Sequence, residues 1–337
     1  MSLISSILLA LALGPLPVTP LPEAGSQLEL IVAPLADLHL AVRAAAQDGT
    51  EAPAVPGIER AVAAAKACDA AFKNPVAWAL VDALFLQGTD VAAVRAIAGR
   101  LPETRRLGEL EVPIRAPTLA YLEALAPVES AFMEQVWPAR KEQLEKRRAQ
   151  VEELLAAADP DPLEHLRSAL GFPEPGLRIP IHLTIASPAP GGVTLRSHSG
   201  PLCSISLEKR DPATLCEVIL HEATHAIDAS CPDAEETIPA RLRAALAKRG
   251  LDPRKETSRN AWHTLFFLQA AETVRACIDA EHVDVGISSG YYERVGRVAA
   301  IERQVWKERG ADGLSAEEVI ERIADGVCSL EIPPEND

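Results

Sequence analysis

Residues 211–230, with the sequence DPATLCEVILHEATHAIDAS, are the stretch from which the rest of the chain can be interpreted. Asp211 before Pro212 is typical of a helix start, because an Asp side chain caps free backbone N–H groups and proline fits the first helical position. Leu215 and Ile219 then place apolar side chains on one face of the helix. We therefore expect a helix that begins at Pro212 and is buried along this face.

His221 and His225 lie four residues apart in this stretch, in the pattern HExxH. Positions four apart on a helix are separated by about 40° around its axis, so both imidazoles can reach one metal ion. Glu222 lies one step further around the helix, where it can stand beside a metal-bound water and act as a general base. The spacing predicts a zinc ion held by His221 and His225, with Glu222 as the catalytic base.

A catalytic zinc site needs a third protein ligand and one open position. The HExxHxxGxxH pattern does not supply that ligand, because position 228 is Asp and position 231 is Cys. A downstream helix, predicted over residues 258–279, offers His263 and Glu272. These two residues are nine apart and point in opposite directions on a helix, so at most one of them can face the ion.

The surroundings of the two candidates favour Glu272. Apolar residues precede it from Phe266 onwards, and a carboxylate among them is costly unless a metal ion or another partner compensates its charge. His263 follows Trp262, where one hydrogen bond would satisfy a neutral imidazole. We expect Glu272 to be the third ligand and keep His263 as the alternative.

From Leu215 to Arg275 the sequence resembles the gluzincin group of zinc metallopeptidases, in which a Glu on a second helix follows the HExxH. The resemblance implies a zincin fold with an edge strand above the active-site helix, Glu272 as third ligand and Zn²⁺ as cofactor. Asp228 matches the HExxHxxD variant of some of these families, and would either bind a ligand imidazole or lie on the surface. The Glu-x-x-x-Asp of the best-known gluzincins is missing, because position 276 is Ala.

Two of the three tyrosines in the chain, Tyr291 and Tyr292, are adjacent. A phenol hydroxyl can stabilise the oxyanion of a tetrahedral intermediate, so either tyrosine is a candidate catalytic residue. Each could equally be a core or interface residue. We retain both as candidates for the site.

The pattern along the chain predicts a predominantly helical α+β protein. Residues 27–170 place apolar side chains at helical spacing and form an N-terminal helical region. After Gly171, alternating apolar residues predict two or three strands joined by Pro/Gly turns. We expect residues 171–337 to form a zincin-like catalytic region with a small sheet and the HExxH helix.

The charge and the first residues limit the partners and the location of the protein. The 337-residue chain has a formal net charge of −15, which disfavours a nucleic-acid partner. Residues 1–26 contain an apolar stretch, too short to span a bilayer, and then a Pro-rich segment. They resemble a secretory signal without its basic residues. We expect a secreted or periplasmic protein without a transmembrane span; a cytoplasmic protein is the alternative.

Together these features predict a zinc-dependent hydrolase. Among hydrolases they favour a metallopeptidase that acts on a peptide or protein substrate. One alternative is a zincin-fold domain without catalytic activity that serves as a binding or assembly module. Glu222 argues against it, because a purely structural metal site has no use for a base. The other alternative is a non-catalytic helical protein whose HExxH is accidental, and it predicts that no zinc is bound.

Overall fold

The structure is a computed structural model that describes residues 27–73, 75–107, 110–173, 176–188, 191–197, 200–207, 210–231, 235–252 and 255–331. The leader predicted for residues 1–26 lies outside them. Among the described residues, no helix has both the length and the apolar character needed to cross a membrane. The chain is mainly helical, with a sheet of four strands and a sheet of two, so the predicted α+β class is confirmed.

The chain divides into two compact units, each built from two segments of sequence. Unit 1 comprises the described residues of Met1–Glu152 and Gly176–Arg210, and unit 2 those of Glu153–Pro175 and Asp211–Asp337. The single boundary predicted near residue 171 does not describe this division, because the strands that follow it belong with the N-terminal segment.

Unit 1 contains all the strands of the described chain: β1 (Gln27–Val32), β2 (Thr104–Leu107), β3 (Leu110–Pro113), β4 (Arg178–Thr184), β5 (Gly192–Ser197) and β6 (Gly200–Ser206). Four of them form a sheet in the order β1-β4-β6-β5. Both β1 and β6 run parallel to β4, whereas β5 runs antiparallel to β6. Strands β2 and β3 form a separate antiparallel pair. The predicted strands after Gly171 are confirmed, but β1, β2 and β3 fall in the region predicted to be helical.

The helices of unit 1 are α1 (Pro34–Gln47), α2 (Ile58–Phe72), α3 (Pro75–Gln87), α4 (Val91–Ala98), α5 (Arg115–Gln135) and α6 (Trp137–Ala157), whose last residues belong to unit 2. They enclose a buried polar group on α1. His39 Nε2 donates to Asp82 Oδ1 at 2.8 Å, and its Nδ1 accepts from the Tyr121 hydroxyl at 3.0 Å. Arg43 pairs with Asp82 as well. These contacts pair the buried charges with one another and explain the group as part of the core.

A second buried histidine lies in the sheet of unit 1. His182 on β4 is 5% exposed and stands in register with Ile31 on β1 and Ser204 on β6. Burial lowers the pKa of His182 to about 4. Its imidazole is therefore neutral at pH 7.

The regular elements of unit 2 are all helices within the described residues: α7 (Pro162–Leu170), α8 (Pro212–Ser230), α9 (Ile238–Lys248), α10 (Glu256–Cys277), α11 (Val285–Ser288), α12 (Tyr291–Val295), α13 (Arg297–Asp312) and α14 (Ala316–Glu331). Helix α10 is central, because it packs against α7, α8, α9, α13 and α14. The HExxH helix α8 thus lies in a helical unit, and the small sheet lies in the other one. The zincin-like arrangement that the sequence implied is not confirmed.

Candidate metal centre

Helix α8 carries the HExxH segment and begins where the sequence predicts. The Asp211 carboxylate accepts a hydrogen bond from the backbone N–H of Thr214 at 2.9 Å and so caps the helix. Every residue from Leu215 to Ile227 is buried, which makes α8 an interior helix rather than one with a single buried face. The histidines of this segment are therefore held on a well-packed element.

His221 and His225 stand together on one side of α8. Their Nε2 atoms are 3.2 Å apart, and their ring centroids are 4.7 Å apart. Zn–N bonds in a tetrahedral site put two ligand nitrogens about 3.3 Å from each other. The pair already has the separation that a tetrahedral ion requires.

Helix α10 supplies a third imidazole to this pair. The ring centroid of His263 lies 5.1 Å from that of His221 and 4.9 Å from that of His225. One ring nitrogen of each residue lies within 4.8 Å of the other two, and all three side chains are buried. Across the described part of the chain, no other group of His, Cys, Asp or Glu is close enough to hold a metal ion in this way. We refer to His221, His225 and His263 as the histidine cluster.

Aromatic side chains surround the histidine cluster. The ring of Phe267 lies 3.9 Å from that of His221, and the ring of Phe266 lies 4.8 Å from that of His225, centroid to centroid. Burial lowers the pKa of His221 and His225 well below its usual value, and lowers that of His263 to about 3. The imidazoles are therefore neutral at pH 7, which is the form that binds a metal.

Tyr291 contacts the cluster through Nδ1 of His263. Its hydroxyl lies 3.1 Å from His263 Nδ1 and 3.2 Å from Thr264 Oγ1. When Nδ1 donates to this hydroxyl, Nε2 is left as the nitrogen that can bind an ion. The hydroxyl is thus engaged by a candidate ligand and by Thr264, and the geometry gives no support to an oxyanion role for Tyr291.

Glu222 is held in the interior beside the two histidines of α8. Its side chain belongs to the buried run of that helix, and the residue is only 4% exposed. Its place in the sequence, next to His221, keeps it one step around the helix from the cluster. The structure therefore leaves Glu222 as the candidate base that the sequence predicts.

Glu272 does not join the cluster, and this corrects the sequence prediction. Its side chain is 52% exposed and forms a salt bridge with Arg275 at 2.7 Å. Because His263 faces the cluster, a residue nine positions later on α10 points to the opposite side. An exposed carboxylate keeps most of its hydration, so the apolar neighbours of Glu272 impose no need for a metal ion.

Asp228 and Tyr292 also have partners outside the cluster. Both oxygens of Asp228 accept hydrogen bonds from Arg243, at 2.8 and 3.1 Å, so this ion pair takes the place of the bond to an imidazole that was one of the two alternatives for Asp228. The Tyr292 hydroxyl donates to Asp284 at 2.8 Å. The structure therefore brings neither the carboxylate nor the phenol to the three histidines.

One buried contact on α8 was missed from the sequence. The Glu217 carboxylate, one turn before His221, forms a hydrogen bond with His282 Nε2 at 2.5 Å and accepts another from the backbone N–H of Val285 at 2.9 Å. It fastens α8 to the segment before α11 and so helps to fix the HExxH helix. The one feature of the sequence that could have indicated a structural role for Glu217 is its position four residues before His221, on the same face of the helix.

Comparisons with known proteins identify no relative. Searches against protein-family models, curated proteins and solved structures each find no match to this chain. The functional inference therefore depends on the residues and geometry of the candidate metal centre.

Proposed function

We propose that this protein is a zinc-dependent hydrolase, and specifically a metallopeptidase, with a metal centre formed by His221, His225 and His263. The observation that carries the proposal is that three buried, neutral imidazoles lie together. One ring nitrogen of each lies within 4.8 Å of a ring nitrogen of the other two. Three protein ligands and an open fourth position are what a catalytic zinc site requires. A histidine as third ligand departs from the Glu that the gluzincin resemblance implies.

Each residue of the site has a separate role in the proposed reaction. Zinc, when bound, polarises a carbonyl and lowers the pKa of its water to about 7. Glu222 would act as the general base that takes a proton from the attacking water and gives it to the leaving amine of the substrate. Tyr291 holds the ring of His263 in the orientation that a ligand needs.

The test is a comparison of zinc content and peptide hydrolysis in the wild type and in Glu222→Gln. The amide cannot accept a proton, whereas all three histidines stay in place. We expect one equivalent of zinc in both proteins, and a loss of hydrolysis by at least about 100-fold in the variant. Mass spectrometry of the metal and turnover of a mixed peptide library give the two readouts.

A second candidate is a metal-stabilised binding or assembly module without catalysis. The burial of the cluster favours it, because His221 and His225 are each 4% exposed and His263 is 6% exposed. In this case the wild type binds zinc but hydrolyses no peptide, and Glu222→Gln changes nothing. A wild type without zinc would contradict both candidates.

A further inference from the structure

Unit 2 contains a cavity of about 780 Å³ on the side of α10 away from the histidine cluster. Glu272, which points away from His263, is part of its wall. The remaining wall comes mainly from α7 and α13, and it includes four basic residues: Arg275, Arg303, Lys307 and Arg309. A cavity of this volume is in the usual range for small-molecule sites.

The acidic residues of the cavity do not neutralise this positive charge. The lining contains two carboxylates, and Glu272 is already paired with Arg275. The other, Asp284, accepts hydrogen bonds from the Tyr292 hydroxyl and from the backbone N–H of Gly286. The cavity therefore has an excess of positive charge, although the chain has a net charge of −15.

Three of the basic residues have no salt bridge of their own. Within the described residues, no carboxylate lies within 4.0 Å of the charged groups of Arg303, Lys307 or Arg309. Two of them, Arg303 and Lys307, are four residues apart on α13, where like charges repel. An anion between them would replace this repulsion by attraction.

The two arginines are held in place by neighbouring groups. The Arg309 guanidinium lies 4.7 Å from the centre of the Trp306 ring and donates a hydrogen bond to the backbone oxygen of Ala169 at 2.8 Å. The Arg303 guanidinium lies 5.0 Å from the centre of the Tyr292 ring. Each guanidinium has five N–H donors, so most of them are left for a ligand. Side chains that are oriented in advance lose less entropy when they bind.

We propose that this cavity binds a small anion with at least two negative charges, of the phosphate-ester or dicarboxylate class, through Arg303, Lys307 and Arg309. Arginine forms paired hydrogen bonds with both phosphate and carboxylate groups, and lysine adds a point charge. The site does not depend on the metal centre or on hydrolysis. It is a second binding site in the same helical unit.

Calorimetric titration of the full chain with glycerol 2-phosphate, and separately with succinate, tests this site. We expect at least one of the two probes to bind with a stoichiometry of one, and more weakly as sodium chloride is raised. The double variant Arg303→Gln/Lys307→Gln should bind that probe about tenfold more weakly or worse, because it removes charged hydrogen-bond donors. The probe that binds more tightly identifies the ligand class.

The matched control is Arg60→Gln/Lys66→Gln, which changes the net charge equally at exposed positions of α2 in unit 1. It should bind the probe as the wild type does. His225→Ala should also retain the anion, since the cavity is separate from the cluster. Circular dichroism checks the fold, and Lys307→Gln alone, at an exposed position, replaces the double variant if that protein is unfolded.

Three results would overturn the proposal. One is the absence of binding of either probe to the wild type at millimolar concentration. Another is an equal loss of affinity in the cavity variant and the control variant, which would reflect net charge alone. The third is loss of the anion in folded His225→Ala, which would place it at the metal centre.

Discussion

At the scale of single residues, the identity of the third ligand is the sharpest question. His263→Ala should lose zinc, because two histidines alone hold the ion weakly. Glu272→Ala is the matched control on the same helix. It should keep one equivalent of zinc and change the free energy of unfolding by less than about 1 kcal/mol, as is usual for an exposed ion pair. Metal analysis after dialysis separates the two, and zinc loss in Glu272→Ala alone would restore the prediction made from the sequence.

The hydroxyl of Tyr291 gives a second test at this scale. Tyr291→Phe removes the hydrogen-bond partner of His263 Nδ1, and loss of such a partner usually weakens metal affinity by about 10- to 100-fold. Tyr292→Phe removes a neighbouring hydroxyl that binds Asp284 instead, so it should leave zinc affinity as it is. Competition with a chromophoric chelator measures both variants. Equal affinities in the two would show that Tyr291 has only a packing role.

At the scale of elements, the start of the HExxH helix can be tested through its cap. Asp211→Ala removes the side chain that accepts the Thr214 N–H, and loss of an N-cap of this kind costs about 1 kcal/mol. Asp312→Ala, at the exposed end of α13, should have a smaller effect or even a stabilising one, because a negative charge is unfavourable at a helix C-terminus. Urea unfolding followed by circular dichroism compares the two, and a larger loss in Asp312→Ala would contradict this account of the cap.

The elements also show which parts of the structure could be predicted from the sequence. The start of α8 and the pairing of His221 with His225 depend on local spacing, and both were predicted correctly. Strand β1 was taken for helix, because its stability comes from parallel pairing with β4, which is remote in the sequence. Local patterns carry no information about such a partner.

The position of Glu272 away from the histidine cluster could not be predicted for a related reason. Which face of α10 meets α8 is a property of packing, and the sequence offered two faces. One signal was available, since Phe267, Ala270 and Val274 follow His263 at helical spacing and are apolar, whereas Glu272 does not share their face. The local run of apolar residues before Glu272 outweighed this periodicity in the prediction.

At the scale of the whole molecule, buried neutral histidines make stability depend on pH. The pKa of His182 is about 4 in the folded state, below the value of 6.5 expected when the chain unfolds. The unfolded chain therefore binds more protons between these values, and the stability present above pH 6.5 decreases as the pH falls towards 4. From pH 7 to pH 5 this contribution amounts to about 2 kcal/mol.

The variant His182→Gln tests the sign and the size of this contribution to the pH dependence of stability. The variant cannot take up a proton at that position, so its free energy of unfolding should fall by about 2 kcal/mol less than that of the wild type between pH 7 and pH 5. Urea titrations at the two pH values give the difference for each protein. The other buried histidines contribute equally to both and cancel. An identical pH dependence in the two proteins would rule out His182 as a contributor.

The division of each unit into two segments has a consequence for synthesis on the ribosome. Strand β1 is synthesised before β4, so Gln27 cannot form its strand pairing until Arg178, its partner on β4, has been made. The sheet of unit 1 is complete only when β6 has been made, after the first segment of unit 2 has already emerged. Contacts between residues so distant in the chain form slowly. The nascent chain therefore carries β1 without its sheet partner until β4 has been made, and an unpaired strand of this kind is prone to aggregation.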